Sequence, residues 1–206
     1  PRGLGFIVAG EAGWSFAYYG VITILTLYMT QHLFTPGHME AVWGIGPYRT
    51  ALERVFGPLS PVALASQTYG LMTSLSYATP ILGGLIADRW LGQRRAVSIG
   101  MTLALAAYSL FVFEPTFLLA CALLVVGAGL IKSNFLGQVG RLYDLDDPRR
   151  TRAFGFFLIA VNIGGFVTPV IVGTLGEKVA YAYGFAAAAV GMALGLTAYL
   201  LGYRHM

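Results

Sequence analysis

The chain has 206 residues, 57% of them hydrophobic and only 11% charged, against about 25% charged residues in an ordinary globular domain. That deficit excludes a soluble globular class and places most of the surface against lipid or other membrane helices. The net charge of +4 does not indicate nucleic acid, since the basic residues gather in loops and not on one helical face, and the single cysteine, Cys121, excludes a disulfide within the chain.

A membrane-spanning helix needs about 20 mostly apolar residues. Six runs meet this, over roughly 6–33, 61–87, 96–113, 117–139, 153–176 and 181–203. They predict an all-α membrane protein built as a six-transmembrane-helix bundle. The first run is too long for a cleavable signal peptide. Arg2, Arg89, Arg94, Arg95, Arg141, Arg149, Arg150, Arg152 and Arg204 fall on one side of the six runs, and Arg49, Arg54 and Lys178 on the other. The positive-inside rule then puts both termini on the cytoplasmic side of a cell (inner) membrane.

In the first run, Glu11, Ser15, Tyr18 and Tyr19 stand at i, i+4, i+7 and i+8 and form one helical stripe. A carboxyl, a hydroxyl and two phenols on one stripe belong at a water-filled cavity and not in lipid. Desolvation there favours the neutral carboxyl, which makes Glu11 a candidate proton carrier. The long segment 34–60 follows. Within it Tyr48, Leu52, Val55 and Phe56 oppose Arg49, Glu53 and Arg54 at helical spacing, the pattern of a short helix in the membrane interface or of a loop over the outer mouth.

The second run ends in Gly83-Gly-Leu-Ile-Ala-Asp-Arg-Trp-Leu-Gly-Gln-Arg-Arg95, a charged turn carrying Asp88, Arg89, Arg94 and Arg95. The third run is plain. The fourth carries Lys132 in Gly127-Ala-Gly-Leu-Ile-Lys-Ser-Asn134, and about seven further residues follow before Arg141, which argues against snorkelling to the interface. An ion at the centre of a bilayer costs roughly 2.5–3.5 kcal/mol even on lenient scales and marks a transport path by default. Lys132 therefore either pairs with Glu11, the only acid within a run, or binds an anionic group of a substrate. The fifth run holds Asn162, placed for interhelical hydrogen bonding or for ligand contact. The sixth presents Gly191, Gly195 and Gly202 near one face, suited to close helix packing. An enzyme is not indicated. His32 and His38 border the outer segment, His205 lies at the end, and no nucleophile–base spacing and no metal cluster can be read.

Several stretches together resemble one family, the proton-dependent oligopeptide transporters of the major facilitator superfamily. Glu11-Ala-Gly-Trp-Ser-Phe-Ala-Tyr-Tyr-Gly20 is similar to that family's Glu-x-x-Glu-Arg-Phe-x-Tyr-Tyr-Gly signature. Tyr77-Ala-Thr-Pro-Ile-Leu-Gly-Gly-Leu-Ile-Ala-Asp-Arg-Trp-Leu-Gly-Gln-Arg-Arg95 resembles it closely, as do Gly129-Leu-Ile-Lys-Ser-Asn134 and Phe156-Phe-Leu-Ile-Ala-Val-Asn-Ile-Gly164. The resemblance runs in order along essentially the whole chain.

It implies the N-terminal six-helix half of a major facilitator fold, with a C-terminal bundle as partner and a small peptide held between the two. It implies symport of di- and tripeptides with protons as the coupling ion and no other cofactor. Carried over residue by residue, Glu11 is the proton-coupling position. Tyr18, Tyr19, Tyr77, Lys132 and Asn162 line the peptide site, and Asp88, Arg89, Arg94 and Arg95 form a conformational latch. Trp14 stands where the signature has its second glutamate, and Ser15 where it has arginine. Both positions border the peptide, so Lys132 is left to hold the peptide carboxylate as a point charge without a bidentate guanidinium. This predicts weaker peptide affinity, or another amphipathic cargo with weakened proton coupling. A receptor or scaffold of the same fold is the non-transporting alternative.

Overall fold

The computed structural model describes residues 2–205 and is helical from end to end. Six long helices form the bundle: α1 (Arg2–Tyr28), α3 (Pro61–Ile86), α4 (Gln93–Leu110), α5 (Phe117–Arg141), α6 (Arg149–Thr168) and α8 (Tyr181–Leu201). Two shorter ones, α2 (Ile45–Phe56) and α7 (Thr174–Lys178), complete it. Four helical stretches are long and apolar enough to cross a membrane: Pro61–Leu91, Glu114–Arg141, Arg149–Lys178 and Tyr181–Leu201. The glycines and polar residues of α1, and the Gln93-Arg94-Arg95 start of the 18-residue α4, set those two apart by composition, yet both pack as full members of the bundle.

Local chemistry sets the helix ends. The Ser60 hydroxyl caps α3 by accepting from the Ala63 amide at 3.3 Å, and Pro61 fills the first helical position, where a missing N–H costs nothing. Gly92, at φ 75°, turns the chain between α3 and α4 in a conformation other residues resist. α1, α3 and α6 each run on into a π-helical turn, at Met29–Leu33, Ala87–Leu91 and Pro169–Gly173. Such turns frequently mark functional sites.

α1 lies centrally, against α8 on one side and α6 on another, while α3 and α4 both pack on α5. Small residues permit these contacts. A Cβ on Gly13 would collide with the Gly195 backbone of α8, and one on Gly83 would collide with the Gly129 carbonyl of α5. Gly191, Gly195 and Gly202 all face α1, against Phe16, Gly13 and Phe6. In hydrocarbon no hydrophobic force joins helices, so this close backbone approach carries the association. The outer surface is correspondingly apolar, with Ile81, Phe166, Leu194 and Leu201 exposed.

The bundle has two chemically distinct ends. One gathers Phe6, Arg94, Arg95, Arg141, Tyr203 and His205. The other gathers Tyr28, His32, Phe117, Glu114 and Tyr181. In α2, Tyr48 and Leu52 pack on the core, whereas Val55 and Phe56 are exposed.

Candidate functional site

A cavity of about 240 Å³ opens midway along the bundle, lined by Glu11, Trp14, Ser15, Tyr18 and Tyr19 of α1, Tyr77 of α3, Lys132 and Leu136 of α5, and Phe157 and Val161 of α6. The stripe on α1 supplies its back wall because i, i+4, i+7 and i+8 share one helical face. Glu11 is 6% exposed and Ser15 2%. The Ser15 hydroxyl donates to Glu11 Oε1 at 2.8 Å, so the residue standing where the signature has arginine serves the carboxylate directly.

Lys132 reaches into the same cavity. Its Nζ lies 4.4 Å from the centre of the Tyr18 ring and 3.8 Å from that of Tyr77. It is buried and has no hydrogen-bond acceptor. Cation–π attraction from two ring faces, each worth roughly 0.5–2 kcal/mol, holds the ammonium but satisfies none of its three donors. Glu11 and Lys132 make no ion pair among the described residues. Of the two alternatives for Lys132, the direct pair with Glu11 is not formed: Ser15 takes a carboxylate oxygen, and the two tyrosine rings take the ammonium. The Tyr18 hydroxyl is likewise buried without a partner. The cavity thus offers an unsatisfied cation and an unsatisfied hydroxyl, the requirements of an anionic, hydrogen-bonding guest.

Aromatic contacts fix the walls. Trp14 is 3% exposed and stacks on Tyr18 with ring centres 5.1 Å apart, and Tyr108 of α4 lies behind it at 6.4 Å. Tyr19 meets Tyr18 edge-on at 5.8 Å. Tyr77 is 62% exposed and forms the open lip. Asn162 does not line this cavity. Its amide folds back to donate to the Leu158 carbonyl at 2.7 Å on an exposed face of α6. Leu136 and Phe157 do line it, and as apolar residues in apolar runs they gave no sequence signal.

The charged turn after α3 is tied to the end of α5. Asp88 pairs with Arg141 at 3.7 Å, at the end of α5, and not with Arg89, Arg94 or Arg95. Arg94, Arg95 and Arg141 border a neighbouring cavity of about 380 Å³ with Gln138 and Tyr203. Beneath it the Tyr199 hydroxyl donates to Gln138 Oε1 at 2.8 Å, a buried polar tie between α8 and α5.

At the opposite end, the Glu114 carboxylate meets His32 Nε2 at 2.7 Å and His38 Nδ1 at 3.0 Å. The sequence showed no such cluster, because Glu114 lies 82 and 76 residues from its two partners.

Comparison with known proteins agrees with this architecture. A family model described as the POT family matches residues 96–206. An uncharacterized transporter, YclF, of Bacillus subtilis (strain 168) is 37% identical over 98% of this chain, which spans 37% of that protein. A di-/tripeptide transporter of Lactococcus lactis subsp. cremoris is 34% identical over the whole chain, which spans 38% of it. Among solved structures, a mutant of peptide transporter POT in complex with alafosfalin superposes with a TM-score of 0.82 at 32% identity, over 99% of this chain and 39% of that one. A POT family transporter in complex with 5-aminolevulinic acid gives 0.78 at 30% identity, over 98% and 38%. The chain therefore spans a little over a third of the length of the relatives it matches.

Proposed function

The chain belongs to the POT family, a family of membrane transporters and not an enzyme class, and from that premise we propose that it forms one bundle of a proton-coupled symporter of di- and tripeptides. A second bundle of the same transporter closes the cavity over the Tyr77 lip, and transport proceeds by rocking of the two bundles around that fixed site. Both termini face the cytoplasm, since the arginine-rich end of the bundle carries them.

The observation that carries this reading is the unpartnered Lys132 ammonium between Tyr18 and Tyr77. A buried cation with no acceptor is held at a cost of several kcal/mol unless a ligand supplies the anion. The C-terminal carboxylate of a peptide is such an anion. Tyr18 and Tyr19 offer hydroxyls to the peptide backbone, and Trp14 forms the floor beneath Tyr18. Among the described residues, Glu11 is the only acid lining the cavity. Protonating it leaves the positive charge of Lys132 wholly to the peptide carboxylate, so proton and peptide bind together. Ser15 steadies that carboxyl in place of a cationic neighbour.

The two departures at Trp14 and Ser15 favour a second cargo class, other small amphipathic molecules that carry a carboxylate. Titrating the full-length protein with a dipeptide and with its C-terminally amidated form tests the shared premise. The free acid is expected to bind at least about tenfold more tightly, since a hydrogen bond to a charged group is worth roughly 1.5–3 kcal/mol. Equal affinities remove Lys132 from substrate recognition.

A further inference from the structure

We propose that His32, His38 and Glu114 form a binding site for one divalent cation of the zinc class, at the end of the bundle opposite the termini. The three side chains bring one ligand atom each to within 4.8 Å of one another. His32 Nε2 is 2.7 Å from Glu114 Oε1, His38 Nδ1 is 3.0 Å from Oε2, and the two imidazole rings lie 4.2 Å apart. Bonds of about 2.0–2.1 Å to a tetrahedral ion put ligand atoms roughly 3.3 Å apart, so side-chain rotations that draw the atoms in from within 4.8 Å convert this hydrogen-bonded cluster into a coordination set.

The cluster is built into the fold. His32 sits in the π-turn that ends α1, and Thr35 Oγ1 donates to its carbonyl at 2.6 Å. Phe34, 1% exposed, anchors the intervening turn in the core. Glu114 opens the short turn leading into α5, and the Trp43 amide donates to the adjoining Pro115 carbonyl at 3.0 Å. These ties hold the two loops together independently of any ion. The side chains are 38%, 44% and 28% exposed, so an ion can enter from solvent.

The donor chemistry selects the cation. Two imidazole nitrogens and one carboxylate suit zinc and its late first-row neighbours, whereas magnesium and calcium prefer all-oxygen sets. Three protein ligands leave a fourth position for water or a small anionic ligand, and two of the three, His32 and Glu114, also line a cavity of about 250 Å³ with Tyr28 and Tyr181. A bound ion would fasten the end of α1 to the start of α5.

The test is calorimetric titration of the full-length protein in detergent with Zn²⁺, for the wild type, His38→Ala and Glu114→Gln, with His205→Ala as control and melting temperatures recorded for each. The expected result is a Zn²⁺ isotherm that weakens by more than about tenfold in each of the two ligand variants and is unchanged in His205→Ala. A Zn²⁺-dependent rise in melting temperature seen only where the site is intact, and not reproduced by Mg²⁺, is expected alongside it. Both ligand variants alter part-exposed side chains, and each is informative alone. Absence of Zn²⁺ binding in the wild type, or an isotherm that both variants leave unchanged, would overturn the proposal and leave Glu114 as a hydrogen-bond acceptor for two histidines.

Discussion

The Lys132 ammonium of α5 stands 3.8 Å from the centre of the Tyr77 ring of α3 and has no hydrogen-bond acceptor. This geometry predicts opposite effects of one substitution on two measurements. Lys132→Met should weaken dipeptide binding by roughly 10- to 150-fold, the equivalent of about 1.5–3 kcal/mol for a charged hydrogen bond. It should also raise the melting temperature of the ligand-free protein, because an unpaired buried charge is replaced by an apolar side chain of similar length. Calorimetry and thermal unfolding on the same preparation check both. A fall in stability together with the fall in affinity would make Lys132 a structural residue.

Close backbone approach sets a second expectation. Gly83 of α3 faces the Gly129 carbonyl with no room for a methyl group, whereas nothing lies near Gly46 of α2. Gly83→Ala should therefore cost about 1–3 kcal/mol by overpacking. Gly46→Ala should be neutral or stabilising by up to about 1 kcal/mol. Thermal unfolding of the two variants in detergent compares them directly.

The ion pair between Asp88 and Arg141 is largely exposed, at 61% and 69%, so its static contribution to stability is small, typically about 0–1 kcal/mol. Arg141→Ala should shift the melting temperature little. If the turn after α3 governs rocking of the bundles, the same variant should lower the maximal uptake rate several-fold with little change in KM. An unchanged rate would reduce the pair to a surface contact.

Glu53 of α2 ties the outer segment together. Its carboxylate accepts from Arg49 Nε at 2.8 Å and from the Leu59 amide at 3.1 Å. The Arg49 hydrogen bond, followed by that from Leu59, lowers its pKa below the usual carboxylate value. A folded-state pKa below the unfolded one means stability that is fully present above the unfolded value and lost as pH falls through the folded one. Hydrogen exchange at the Leu59 amide should therefore lose protection in the acid range below the ordinary glutamate pKa. Glu53→Gln should lose protection at neutral pH and abolish that pH dependence.

Glu11 and Lys132 were legible in the sequence because an ionisable residue inside a long apolar run stands out by its cost. The α1 stripe was legible because helical periodicity puts four polar side chains on one face. Their true partners were not. The Tyr18 and Tyr77 rings meet Lys132 from two other helices, and spacing along one chain cannot report that. Asn162, carried over by resemblance, satisfies its own helix and lies off the cavity. Arg141 as the partner of Asp88, and Glu114 as the partner of two histidines, arise only when distant segments meet at the same end of the bundle. The composition of α1 and α4 shows the converse limit: helices less apolar than their neighbours still belong to the bundle, α1 because Gly10, Glu11 and Ser15 face inward and α4 because Gly100, Ala104 and Ala107 do.

In the proposed mechanism Glu11 couples protons to the movement of a peptide held by Lys132. The most direct test is pH-gradient-driven uptake of labelled dialanine into proteoliposomes carrying the full-length protein or its Glu11→Gln variant, with gradient-free counterflow measured in parallel. Uptake that requires the gradient in the wild type and is lost in Glu11→Gln, with counterflow retained, is the predicted result. Gradient-driven uptake that the variant leaves intact would contradict this role of Glu11 and place proton coupling outside this bundle.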